Sequence, residues 1–142
     1  MFSFKNKYYF IIESTKDINL KNIKKRNKFI IVYRNSDNLE HKTHLMKFRN
    51  ECKIKSVGFY VANNINLAID LNSDGLYLSS YNRSYRSLSL KKTNFRIIGS
   101  AHSSREIFMK VRQGCREILF SKLFKVNYDK KSSFLGVIKF NN

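Results

Sequence analysis

This 142-residue chain has no proline, and its only alanines are Ala62, Ala68 and Ala101; Asp and Glu together number 10 against 28 Lys and Arg. Lysine, asparagine and isoleucine are correspondingly abundant, the bias expected of an A+T-rich coding sequence. The formal net charge of +18 is large enough to suggest a nucleic-acid or other polyanion partner. The lysines, however, are spread along the chain apart from short runs such as Lys21-Asn-Ile-Lys-Lys-Arg26, which favours compositional bias over a dedicated polyanion site. Nucleic-acid binding is therefore expected to be non-specific only. Cysteine is limited to Cys52 and Cys115, without CxxC or metal-type spacing, which points to two reduced structural thiols and away from a disulfide framework. No apolar run approaches the ~20 residues of a membrane span. Met1-Phe-Ser-Phe-Lys-Asn-Lys7 also lacks the apolar core of a signal peptide, so a soluble, cytoplasmic protein without membrane partners is expected. Neither GxGxxG nor GxxxxGK[ST] follows any apolar run, which argues against the common nucleotide-binding sheets.

What the chain does contain is an ordered alternation. Hydrophobic residues make up 42% and aromatics 14%, enough to build a core and to exclude disorder. Residues 1–142 read as a single domain. Tyr8-Tyr-Phe-Ile-Ile12 predicts a first strand and Phe29-Ile-Ile-Val-Tyr33 a second, with a poorly patterned basic segment between them. Residues from about Asn38 to Cys52 predict a helix with Leu39, Leu45, Met46 and Phe48 inward. Gly58-Phe-Tyr-Val-Ala62 predicts a third strand, Asn63 or Asn64 a cap, and Ile65–Leu71 a helix. Leu76-Tyr-Leu-Ser79 predicts a fourth strand, and Gly114–Phe120 leads into a sixth. Strands alternating with helices imply parallel βαβ units, and right-handed crossovers put all the strand carboxyl ends on one side. Both a doubly wound sheet and a (β/α)8 barrel fit this pattern, and the chain has room for about six barrel units.

The segment Phe95-Arg-Ile-Ile-Gly-Ser-Ala-His-Ser-Ser-Arg-Glu106 supplies the fifth strand and the helix after it. Ser103 with Glu106 predicts a capping box; Ile107, Phe108 and Val111 carry the helical spacing, and Gly114 is placed to stop the helix. The Gly-Ser-x-His turn would put Ser100 and His102 at a strand end, where α/β folds bind anionic ligands. His41 and His44 stand at i, i+3 on the helix expected from about Asn38 to Cys52, but no third ligand converges, and solvent-facing histidines are the favoured reading. Tyr77, Tyr81 and Tyr85 could form a nucleic-acid stacking platform; strand and loop packing is the preferred reading.

Phe59-Tyr-Val-Ala-Asn-Asn-Ile-Asn-Leu-Ala-Ile-Asp-Leu-Asn-Ser-Asp-Gly-Leu-Tyr-Leu78 resembles the "I-N-D-x-x-x-L-A-x-x-x-x-A-D-G-x-H-L" stretch of the thiamine phosphate synthase/TenI family. Ile98-Gly-Ser-Ala-His-Ser103 is similar to that family's "I-G-x-S-x-H-S" turn, one residue shorter. Gly114-Cys-Arg-Glu-Ile-Leu-Phe-Ser-Lys-Leu-Phe124 is similar to "G-A-D-Y-V-x-F-G-P-V-F", and Leu135-Gly136 to a later "L-G". Val32-Tyr-Arg-Asn-Ser-Asp37 faces "Q-L-R-x-K-D" more weakly. The resemblance implies a (β/α)8 barrel that stops after its sixth strand, without the last two strands and their glycine-rich phosphate loops. An open edge there would favour pairing between copies of the chain.

The resemblance also implies a function: coupling of hydroxymethylpyrimidine diphosphate with thiazole phosphate, with Mg²⁺ and basic side chains on the leaving pyrophosphate. Arg34 falls on the diphosphate-contacting arginine and Ser100 on the serine of the fifth loop. The family's Asn-Asp pair after strand three becomes Ala62-Asn63, and its second metal aspartate becomes Asn82. Two neutral amides in place of carboxylates should weaken Mg²⁺ binding sharply. Val32 and Ser36 replace the glutamine and lysine of the second-strand motif, and Val126-Asn-Tyr128 replaces a Thr-x-Thr loop. Lys122, Lys125 or Lys130 could supply positive charge to a diphosphate instead. His102 matches the proton-transferring histidine of TenI-type thiazole tautomerases, the alternative being a histidine at a helix start bonded to backbone. A tautomerase using His102 and a non-catalytic phospholigand- or polyanion-binding protein are the rival functions.

Overall fold

The structure, a computed structural model, describes residues 7–24, 26–35, 37, 39–92 and 94–120. Six strands are present among them: β1 (Tyr8–Ile12), β2 (Phe29–Tyr33), β3 (Gly58–Ala62), β4 (Gly75–Leu78), β5 (Arg96–Ala101) and β6 (Glu117–Phe120). Three α-helices accompany them, α1 (Lys42–Ile54), α2 (Ile65–Asp70) and α3 (Ser104–Arg112). Short 3-10 turns fill the β1–β2 connection, and a 3-10 helix, Arg86–Lys92, stands between β4 and β5. The sheet has six strands in the order β1-β2-β3-β4-β5-β6. Doubly wound sheets reverse their strand order at a switch point, and this one does not. The fold is therefore α/β, an incomplete (β/α)8 barrel. The expected absence of the last two barrel strands concerns residues 121–142, which lie outside the described residues.

The chain divides into two compact units, Met1–Tyr77 and Leu78–Asn142. In the first, β1, β2, β3 and β4 pair in parallel, with Ile12 opposite Tyr33, Val32 opposite Tyr60 and Val61 opposite Leu76. Parallel strands covered on both faces read as continuous apolar runs, and Ile30–Tyr33, Phe59–Val61 and Leu76–Leu78 are all buried. That is why β2 and β3 fall where the sequence predicts them; β1 does so as well, although only its Ile12 is buried. Helix α1 starts later than expected. The residues before it are used elsewhere: Glu40 accepts from Thr15 N–H and Oγ1, both at 2.7 Å, and its own N–H reaches the Tyr33 hydroxyl. His41 caps the helix, accepting from Thr43 N–H. The inward face is then Leu45, Phe48, Arg49 and Cys52, while Leu39 and Met46 are exposed, contrary to expectation.

Arg49 was not foreseen as an interior residue. It is 6% exposed, and its Nε donates to Asn72 O and its Nη2 to Asp74 Oδ1, both at 3.0 Å. Asp74 Oδ2 in turn accepts from Phe59 N–H at 2.9 Å. One guanidinium thus ties α1 to β3 and to the turn that leads into β4. Asn64 caps α2 through Leu67 N–H, and Asn63 and Asn72 take left-handed backbone with φ of 61° and 46°. Asparagine tolerates that region better than other non-glycine residues.

In the second unit, β5 and β6 pair in parallel with Ala101 opposite Phe120, and Ile107 packs with Ala101, Ile118 and Phe120. Ser103 caps α3 by accepting from Glu106 N–H, but the carboxylate of Glu106 returns to the N–H of His102, one residue before the cap. Gly114, at φ 89°, ends the helix with Gly114 N–H bonded to Val111 O and Cys115 N–H to Lys110 O, a Schellman stop. Phe108 and Val111, expected to face inward, are 73% and 51% exposed; the covered face is Ile107, Lys110 and Gln113. Replacing Arg49 with Ala should lower the unfolding free energy by about 1–3 kcal/mol. Arg49→Lys should restore less than half of that loss, because an ammonium cannot fork to both oxygens. Urea denaturation midpoints of the three proteins measure both effects.

Candidate functional site

The candidate residues sit at strand carboxyl ends, in two groups. In the first unit, Arg34 follows β2 directly; its N–H donates to Ile12 O at 2.8 Å and its side chain is exposed. Asn35 Nδ2 donates to Glu13 O at 2.8 Å, so the loops after β1 and β2 are laced together. Burial opposes ionisation of Glu40, yet hydrogen bonds from Thr15 and Ser14 outweigh it and hold its carboxyl below the usual range. Burial raises the Tyr33 phenol, against the bond from Glu40. Asn63 follows β3, half-buried, with its N–H on Tyr77 O at 2.8 Å.

In the second unit, Ser100 is not in a turn. It lies within β5 opposite Leu119 and is 9% exposed. His102 follows the strand, its side chain 41% exposed and Nδ1 3.6 Å from Glu106 Oε2. The same carboxylate accepts from the His102 backbone N–H, which ties the residue to the first turn of α3. Asn82 lies in the loop after β4, where its Oδ1 accepts from Ser84 N–H at 2.9 Å. Ser36, Lys122, Lys125, Lys130, Val126-Asn-Tyr128 and Leu135-Gly136 lie outside the described residues.

Other sequence candidates are redistributed. His41 is the α1 cap, with Nδ1 2.7 Å from Thr43 Oγ1, and both His41 and His44 are exposed. Among the described residues, no group of three or more His, Cys, Asp or Glu side chains is placed to hold a metal ion. Tyr77 is buried in β4, in line with the packing reading, whereas Tyr81 and Tyr85 are 64% and 47% exposed, against it.

The feature that sequence reasoning missed is a buried polar clamp. Lys110 is fully buried, and its Nζ donates to Asn82 O at 2.7 Å and to Gln113 Oε1 at 2.9 Å. Gln113 Nε2 donates to Asn82 O at 2.9 Å and Ser84 O at 2.8 Å, and Ser87 Oγ donates to Gln113 O at 2.9 Å. Desolvation lowers the Lys110 pKa, with Cys115 and Glu106 acting the other way. The clamp also accounts for Gly99. A Cβ there would stand 2.7 Å from Lys110 Cδ and 2.9 Å from Cys115 Sγ. The glycine of the Gly-Ser-Ala-His segment makes room for a lysine stem. Spacing offered one faint signal, a lysine on α3 three residues from a glutamine.

Comparison with known proteins adds a fold relationship. A thiamine phosphate pyrophosphorylase from Pyrococcus furiosus is similar in structure, with a TM-score of 0.57 and 16% sequence identity. The match covers 84% of this chain, which spans 62% of that protein. At this identity the likeness is one of fold. No protein-family profile and no curated protein matches the chain. Among the described residues, no helix is long and apolar enough to cross a membrane.

Gly99→Ala should cost about 1–3 kcal/mol through overpacking, read from the denaturation midpoint. Cys52 and Cys115 are free, and burial pushes both thiols up to about 12. Both therefore stay protonated near neutrality, and their reaction with Ellman's reagent at about pH 7 should be far slower than that of free cysteine. Urea should expose both at the rate of free cysteine.

Proposed function

We propose that this chain is a thiamine phosphate synthase-like protein that takes thiazole phosphate and a pyrimidine diphosphate at its strand carboxyl ends. The observation that carries the reading is the structural similarity to a thiamine phosphate pyrophosphorylase over 84% of the chain, in a sheet whose own strand order is unreversed. Of the residues that the family motifs assign to ligand contact, Arg34 and Asn63 directly follow their strands, Ser100 is the penultimate residue of β5 and Asn82 lies in the loop after β4.

Each residue has a stated role. Arg34 is exposed at the end of β2 and offers a planar cation to a diphosphate. Ser100 offers a hydroxyl to a phosphate oxygen, and His102, held by Glu106, can take or give a proton. Asn63 and Asn82 offer amide groups to phosphate or water. Lys122 and Lys125 belong to the proposal as further cations.

The residues do not fit a Mg²⁺ site. Asn63 and Asn82 bring no negative charge, and Asn82 Oδ1 already accepts from Ser84 N–H. No step is assigned to the ion, and the reading is of ligand binding with feeble coupling of the two precursors.

Calorimetric titration of the full chain with thiazole phosphate and with the pyrimidine diphosphate tests the reading. Arg34→Ala and Ser100→Ala should each weaken binding of one ligand by about tenfold. Precursor coupling should change little on adding Mg²⁺. Absence of binding by either ligand, or vigorous Mg²⁺-dependent turnover, would contradict it. A tautomerase is distinguished by thiazole isomerisation that His102→Asn abolishes.

A further inference from the structure

The sharpest departure from evenly spread charge lies around the loop after β4. Between Asp74 and Glu106 the chain has no acidic residue, yet it holds Arg83, Arg86, Lys91, Lys92, Arg96 and Arg105. Ser80-Tyr-Asn-Arg-Ser-Tyr-Arg86 alternates aromatic and basic residues with small polar ones. Tyr81 and Tyr85 are 64% and 47% exposed, and Arg83 and Arg86 are exposed with them. Large aromatic surface left in water beside guanidinium groups needs an explanation other than packing.

The backbone of the same loop is held from inside. Asn82 O receives Lys110 Nζ and Gln113 Nε2, Ser84 O receives Gln113 Nε2, and Ser84 N–H is bonded to Asn82 Oδ1. The carbonyls of residues 82 and 84 are thus drawn inward onto buried donors, which fixes the backbone between Tyr81 and Tyr85. The outward side chains are presented in advance, which lowers the ordering cost of binding.

We infer that residues 80–86 form a preorganised platform for single-stranded nucleic acid, with Tyr81 and Tyr85 stacking on bases and Arg83 and Arg86 meeting the phosphates. Stacking reads the π-face that every base has, so the platform selects strandedness and not sequence. A duplex hides those faces in its own stack. Diffuse positive charge behaves in the opposite way, because a duplex carries the higher charge density and binds a basic surface at least as well as a single strand. The inference stands apart from the thiamine-precursor reading and does not need it.

Fluorescence anisotropy of labelled oligonucleotides of about twelve residues, mixed with the full chain, separates the two behaviours. Single-stranded RNA and DNA should each bind about tenfold more tightly than a duplex of the same length at equal salt. Replacing Tyr81 and Tyr85 together with Ala should remove about tenfold of single-strand affinity and leave duplex affinity unchanged. Tyr81→Phe with Tyr85→Phe should bind as the wild type, which also controls for folding. Duplex binding as tight as single-strand binding would overturn the inference. So would single-strand affinity that survives the double alanine substitution.

Discussion

One ammonium group withdrawn from water constrains most of the second unit. Lys110 is fully buried, and a charge in that position is tolerated only where oxygen atoms surround it. Those oxygens are the carbonyl of Asn82 and the amide of Gln113. The loop after β4 must therefore pass within reach of α3, Gln113 must turn inward, and β5 must carry a glycine where the lysine stem crosses it. Sequence features that look unrelated are consequences of one burial: a glycine in a strand, a glutamine at a helix stop and a polar loop.

The first unit uses the same physics with a different cation. Arg49 reaches from α1 to Asn72 O and Asp74, and Asp74 passes the connection to the backbone of β3. Asp74, whose Asp-Gly pair at the start of β4 resembles a family motif, is thus explained by architecture without a ligand. In a chain carrying 28 basic residues, charge is usually assigned to the surface. Here two of those residues hold helices and loops together from inside.

This accounts for how far the sequence could be read. Strands β1, β2 and β3 were legible to the residue because an apolar run between polar residues is what a parallel strand looks like. The start of α1 was not, since it depends on Glu40 bonding to Thr15, far away in the chain. The inward face of α3 was misread because hydrophobic periodicity cannot register a lysine and a glutamine as core. Arg34 and Asn63 could be placed at strand ends, and Asn82 in the loop after β4, from spacing alone. Ser100 could not, because β5 continues through it to Ala101. What their atoms bond to came only from the three-dimensional arrangement.

The lacing between the loops after β1 and β2 has a dynamic consequence. Arg34 N–H on Ile12 O, Asn35 on Glu13 O, and Thr15 on both oxygens of Glu40 join two segments distant in sequence. Segments bonded in this way open together or not at all, as one cooperative unit of local unfolding. A molecule that settles on Arg34 would quiet the whole unit. Its arrival would then be readable in the slowed hydrogen exchange of the Thr15 amide, a residue the molecule need never touch.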